Sequence, residues 1–139
     1  AAIEGRPPSA LDGVALALPA LLRAEKLQRR ASRVGFDWPD IAPVIDKVVE
    51  EIEEVRAEVS EDGSEESRID EIGDLLFSCV NLARHAGVDP EAALCQANDK
   101  FKHRFRGVEA ALAVERKSVD NVSLQELERH WQNQKLSEH

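Results

Sequence analysis

Apolar residues recur at intervals of three and four over most of the chain, the spacing that one face of an α-helix requires. Leu18, Leu21, Leu22 and Leu27 supply such a face and predict a first helix from about Leu16 to Val34. Pro19 is tolerated near its start, and Gly35 ends it. Gly35-Phe36-Asp37-Trp38-Pro39 then reads as a loop carrying two of the few aromatics. A second helix is expected from about Ala42 to Val59, followed by a turn at Glu61-Asp62-Gly63-Ser64. A third covers about Glu65 to Ala86 and stops at Gly87. Asp89-Pro90 opens a fourth, with Pro90 at its first position, that continues to about Val114. Ser123 caps a last helix, with Glu126 three residues on in the capping-box pattern, and that helix ends near Lys135. Valine and isoleucine never alternate convincingly with polar residues between turns, so no strand is predicted. The expected fold is therefore all-α, a bundle of about five helices. Residues 1–13 form a flexible lead-in containing a linker-like Ile-Glu-Gly-Arg, and residues 14–139 form the helical domain.

Composition narrows the class without naming it. Hydrophobic residues make up 42% and charged residues 32%, a globular balance rather than a disordered one. No apolar run approaches the roughly 20 residues needed to cross a bilayer. The N-terminal stretch lacks the charged-then-apolar layout of a secretory signal. Cys79 and Cys95 fit no metal-ligand spacing and no disulfide framework, and their apolar helical surroundings predict buried thiols. A cytoplasmic protein with no membrane partner is the inference.

The net charge of −9 is unevenly spread. Between Val44 and Asp74 stand thirteen acids against three bases, a balance of −10, which leaves the remainder at about +1. So concentrated an acidic block calls for solvent or bound cations. No basic patch of the size that grips a phosphate backbone is visible, so duplex nucleic acid is excluded as a partner.

Within that block, Val48, Ile52, Val55 and Val59 form one apolar stripe of the second helix. Glu50 and Glu53 fall on its far side and read as solvated. Glu51 sits about 60° from the stripe, with Glu54 beside it one turn on, both at the margin of the core. On the third helix Ile69, Ile72, Leu75, Leu76, Phe77, Val80, Leu82 and Ala83 are apolar around most of the circumference, as in the central helix of a bundle. Yet Glu71, Asp74, Ser78 and Asn81 run along it as a polar stripe. Enclosed carboxylates cost several kcal/mol each unless a cation or hydrogen bonds compensate them. Two i, i+3 pairs, Glu51 with Glu54 and Glu71 with Asp74, make an oxygen-rich cage suited to Mg²⁺ or Mn²⁺. The same spacing also fits a solvated helix face. No Glu-x-x-His pair exists, which argues against a di-iron bundle.

A cationic group lies on the fourth helix, where Lys100 and Arg104 share a face near Phe101, Phe105 and Val108. Beside a carboxylate cage it suits a polyphosphate, whose oxygens a divalent cation bridges while Lys and Arg bind the rest. Trp131 and Lys135 form a further i, i+4 pair, the indole serving either to stack on a base or to fill the core, and the lysine either a ligand or a surface residue. His85 is expected in solvent at the end of its helix, and His103, His130 and His139 offer no usable pairing.

Taken together these segments resemble a known family. Leu21 to Ala31 (LLRAEKLQRRA) with Val34-Gly35-Phe36-Asp37-Trp38 is similar to the opening of a MazG catalytic domain. Lys47 to Val55 (KVVEEIEEV) and Glu71 to Phe77 (EIGDLLF) look like its EExxE and ExxD signatures. Asn81-Leu82-Ala83-Arg84-His85 and Ala97 to Phe105 continue the match, which runs from about Ser9 to Lys135. The resemblance implies an all-α pyrophosphohydrolase that cleaves nucleoside triphosphates between the α and β phosphates to NMP and pyrophosphate, with a metal-activated water as nucleophile. It assigns the metal and the catalysis to Glu51, Glu54, Glu71 and Asp74, phosphate binding to Lys100 and Arg104, and the neighbourhood of the nucleotide to Trp131 and Lys135. It implies a homodimer or a dimer of dimers whose assembly completes the site. Many full-length relatives carry two such domains in tandem, and this chain holds one, most like the C-terminal copy. Two other readings stay open: an all-α phosphohydrolase restricted to dUTP or dCTP, and a non-catalytic acidic helical module that binds a basic partner.

Overall fold

The computed structural model describes residues 5, 7–60 and 63–138. Ile3, Glu4 and Arg6 of the linker-like segment, and Glu61 and Asp62 of the expected turn, lie outside the described residues. Among the described residues the chain is all-helical: α1 (Ala20–Arg33), α2 (Ala42–Ser60), α3 (Glu65–His85), α4 (Pro90–Val114), one 3-10 turn (Val119–Asn121) and α5 (Leu124–Ser137), with no strand. No helix among them is long and apolar enough to cross a membrane.

The helix ends follow from local chemistry. α1 begins at Ala20 rather than near Leu16, because Pro19 takes the cap position with an extended ψ of 142° and pushes the residue before it away from helical angles. Ser64 and Ser123 cap α3 and α5, their hydroxyls accepting from the backbone N–H of Ser67 (3.1 Å) and Glu126 (3.2 Å). The Glu126 carboxylate does not close a capping box but turns instead to Lys117 at 2.8 Å, a stronger, charge-assisted partner. α1 and α3 end on left-handed glycines, Gly35 (φ 89°) and Gly87 (φ 73°), where the next two amides return to carbonyls of the last turn. α4 ends in the same way on Arg116 (φ 59°), whose N–H donates to Ala113 O while that of Lys117 donates to Leu112 O.

The chain forms two compact units, Ala1–Ala93 and Leu94–His139. In the first, α3 packs against both α2 and α1. Val44 and Val80 are its fully buried aliphatics. Near its start Ser9–Asp12 forms a turn, and Arg30 donates to the Asp12 carbonyl at 2.8 Å. In the second, Val108 and Leu112 of α4 are buried, and Gly107 leaves room for the side chain of Gln134, which a Cβ there would strike.

Two expectations are corrected. Cys79 and Cys95 are exposed, each on a helix face that the described residues of its own unit leave uncovered. The apolar stripes are only partly buried as well: on α2 Ile52 and Val59 are exposed while Val48 and Val55 are half-buried, and on α3 Ile69, Ile72 and Leu76 remain exposed. α3 therefore touches two helices yet is not enclosed by them.

Candidate metal centre and its cleft

Glu71 and Asp74 stand one turn apart on α3, and Glu51 faces them from α2. The three carboxylates each bring an oxygen to within 4.8 Å of the others. Glu51 is buried at 7% exposure, Glu71 is half-buried and Asp74 is exposed, so the cluster sits at the mouth of the α2–α3 packing. Lys47, one turn before Glu51, reaches its carboxylate at 3.0 Å. That contact raises the lysine's pKa and holds the ammonium charged. Glu54 is exposed and outside the three-way cluster, but its charge reaches Glu71. Partial burial, then repulsion from Glu54 and Asp74, pushes the Glu71 carboxyl above the ordinary glutamate value. Glu50 and Glu53 are exposed, paired along the helix with Lys47 (3.4 Å) and Arg56 (3.2 Å). Three converging carboxylates against one ammonium form an all-oxygen donor set with surplus negative charge, and these residues can hold a hard divalent cation.

Glu51, Asp74 and Lys47 also line a cleft of about 930 Å³ in the first unit. Its walls are largely apolar, with Leu27 from α1, Phe36 and Trp38 from the following loop, and Phe77 from α3. The volume suits a ligand of several hundred daltons, held by a limited number of polar groups. Gln28 reaches this cleft from α1. Its Nε2 donates to the Phe77 carbonyl at 2.9 Å, which fixes the amide, while its buried Oε1 has no partner among the described residues and is left able to accept. Ser78, buried on the wall, spends its hydroxyl on the Leu75 carbonyl (2.8 Å).

A polar clamp ties the loop to α3. Arg84 grips both oxygens of Asp37, at 2.7 and 3.1 Å, and also donates to Asn81 Oδ1 at 2.8 Å. His85 Nε2 lies 2.9 Å from Asp37 Oδ1. The Arg84 guanidinium foremost, with His85 and the Trp38 N–H adding, holds the Asp37 carboxyl at about 2. The expectation of a solvated His85 is thus corrected: its side chain is only 11% exposed, because an acid 48 residues away in sequence draws it in.

The second unit gathers the other expected residues. Arg104 makes a two-pronged pair with Glu138 (3.0 and 2.8 Å), which secures its protonation, and lies 5.9 Å from the centre of the Trp131 ring. Trp131, half-buried, packs on Phe101 with centroids 5.4 Å apart, and Phe101 stacks on Phe105 at 6.0 Å. Lys100 is exposed and Lys135 half-buried. Arg104 and Trp131 are therefore brought together, and Lys100 and Lys135 stand on the same two helices.

Sequence reasoning missed Lys47, Gln28 and the Asp37–Arg84 clamp. Gln28 had a signal, since it interrupts the apolar face of α1 seven residues after Leu21. The clamp joins segments 47 residues apart and leaves no periodic trace.

Residues 42–108 match the MazG nucleotide pyrophosphohydrolase domain. Over 131 residues the chain is 47% identical to a nucleoside triphosphate pyrophosphohydrolase of Escherichia coli (strain K12), covering 94% of this chain and 50% of that protein. It is 39% identical over 118 residues to the nucleoside triphosphate pyrophosphohydrolase/pyrophosphatase MazG of Thermotoga maritima, 85% of this chain and 45% of that one. It is also similar to the uncharacterized protein YabN of Bacillus subtilis, 42% identical over 130 residues that make up 27% of YabN. The chain thus spans about half the length of the first two relatives.

Proposed function

Because the chain belongs to the MazG nucleotide pyrophosphohydrolase family, we propose that it hydrolyses nucleoside triphosphates at the α–β phosphoanhydride, releasing NMP and pyrophosphate with the aid of Mg²⁺. One observation carries this reading: a converging set of carboxylates, Glu51, Glu71 and Asp74, opens onto an apolar cleft large enough for a nucleoside. Glu54 joins the set by a change of rotamer from its exposed position. The cation, when bound, supplies neutralising charge to the phosphate oxygens and acidifies a water for attack.

The chain's own residues do the rest. The carboxylates orient the water, and one of them takes its proton as the α–β bond breaks and the leaving pyrophosphate carries away the bonding pair. Lys47, at the edge of the cleft and paired with Glu51 at 3.0 Å, would offer its ammonium to the phosphates. Phe36, Trp38 and Phe77 provide apolar surface for the base, and the Gln28 Oε1 accepts a hydrogen bond from a base N–H. Lys100 and Arg104 bind phosphate, with Trp131 and Lys135 beside the nucleotide, and in that role Arg104 exchanges Glu138 for phosphate oxygens.

The uncovered apolar residues of α2 and α3 support assembly into a homodimer or dimer of dimers, since burying them against a second copy removes a large apolar area from water. A cytoplasmic location accords with a nucleotide substrate. The test is incubation with each NTP and dNTP, with Mg²⁺ and with EDTA, and chromatography of the products. NMP plus pyrophosphate, abolished by EDTA, is expected. NDP plus phosphate would discard α–β cleavage, and turnover of dUTP or dCTP alone would replace the broad reading with a restricted one.

A further inference from the structure

A second cluster of metal-ligand type lies in the second unit, apart from the residues invoked above. Glu115, Glu126 and His130 each place one donor atom within 4.8 Å of the others. Two carboxylates alone would be an ordinary acidic surface, but His130 is different. Its residue is 6% exposed, and among the described residues its buried Nε2 has no hydrogen-bond partner, although it lies 3.8 Å from Glu115 Oε2. A buried imidazole nitrogen left without a partner and turned toward a carboxylate is a ligand waiting for an acceptor of its lone pair, or a donor short of its target.

We propose that Glu115, Glu126 and His130 form a site for a divalent transition metal of the Zn²⁺ class, in which the Lys117 ammonium stands in for the metal. Lys117 Nζ lies 2.8 Å from Glu126 Oε1 and 3.5 Å from Glu115 Oε2, between the two carboxylates. Lys117 and the exposed Arg129, which reaches Glu126 at 3.5 Å, balance the two acids but leave His130 Nε2 without a partner among the described residues. A dication neutralises both acids and takes the imidazole as well. The geometry requires little movement: two ligands about 2.1 Å from a tetrahedral metal sit about 3.4 Å apart, against the 3.8 Å between His130 Nε2 and Glu115 Oε2. Glu115 and Lys117 are at least two-fifths exposed and able to move, whereas Glu126 and His130 are held on α5. The left-handed Arg116 between them is what turns Glu115 and Lys117 toward that helix. The donor set also differs in kind from the first cluster. An imidazole selects Zn²⁺, Co²⁺ or Ni²⁺ over Mg²⁺, so the two sites sort cations by softness.

The test uses the full chain carrying Cys79→Ser and Cys95→Ser, because both thiols are exposed and would bind Zn²⁺ themselves. Zn²⁺ is titrated in millimolar Mg²⁺, and the imidazole nitrogens are followed by ¹H–¹⁵N NMR. One Zn²⁺ per chain is expected to shift the His130 Nε2 resonance, with His85 and His103 unmoved. Glu115→Gln, at an exposed position that leaves folding intact, should weaken binding at least tenfold. Lys117→Met should tighten it about fivefold, the worth of one exposed ion pair. Zn²⁺ that leaves the His130 resonance unmoved, or binding unchanged by both Glu115→Gln and Lys117→Met, would overturn the assignment.

Discussion

Replacing Asp37 by Asn tests whether the clamp between the aromatic loop and α3 supports the cleft. The carboxyl is held at about 2 against 3.8 when unfolded, chiefly by the two-pronged contact with Arg84. At about 1.4 kcal/mol per pKa unit this is worth at most about 2.5 kcal/mol, and solvent screening of a side chain 23% exposed brings it nearer 1. Asn also strands Arg84, only 11% exposed, with Asn81 as its remaining acceptor, so a total loss of about 1–2 kcal/mol is expected. The sign with pH follows from the direction of the shift. A depressed acid stabilises the fold fully above its unfolded pKa, and that contribution drains away as pH falls from about 5 toward 2. Urea unfolding of wild type and Asp37→Asn at pH 7, and in steps down to pH 3, gives the gap directly, and it should shrink by about half at the acid end. Because the loop carries Phe36 and Trp38 into the cleft, the variant should also raise KM severalfold while leaving Mg²⁺ affinity near wild type. A variant as stable as wild type at pH 7, or a gap that ignores pH, would refute the reasoning.

Three other outcomes are expected. Glu51→Gln should abolish the thermal shift given by Mg²⁺, which in wild type at a hundredfold excess over Kd should reach roughly 10 °C, and should lower kcat at least a hundredfold. Glu71→Gln should raise the melting temperature of metal-free protein at pH 7, because it removes an acid whose ionised form is disfavoured by burial and by Glu54 and Asp74; lowering pH protonates the wild-type carboxyl and closes the difference. Arg116→Gly should stabilise the chain by about 0.5–1 kcal/mol in urea, since φ of 59° strains any residue with a Cβ, whereas Arg116→Ala should bring no such gain.

Much of this architecture is written in short-range signals. Gly87 followed by Asp89-Pro90 marks the end of α3 and the start of α4 because both events depend on backbone angles at single residues. Ser123 announces α5 through a hydroxyl that finds an amide three residues away. The pairing of Glu71 with Asp74 is equally local, and their meeting with Glu51 needs only that α2 and α3 lie side by side. What escaped is long-range in sequence or concerns how much of an apolar stripe is covered. Arg84 and His85 gave no sign that Asp37 would draw them in, since no periodicity links a loop to the end of a distant helix. The exposure of Ile52, Ile72 and Cys79 was equally hidden: an apolar stripe declares that something covers it, never that the cover belongs to the same chain. Glu115 and His130 lie fifteen residues apart across a turn set by a non-glycine residue in the left-handed region, a conformation that sequence patterns do not anticipate.

The three clustered carboxylates all belong to one helical hairpin, within two dozen residues from Glu51 to Asp74. Joining such near neighbours carries little loop-closure entropy, so α2 and α3 can pair on the microsecond scale, before contacts of greater sequence separation form. Their mutual repulsion is then the main obstacle to that early step. A dication bound there, as proposed above, would remove it and would favour that step as well as the end state. Under the proposed function, scarcity of the cation would be felt twice, first in how many newly made chains reach the native state and only afterwards in turnover.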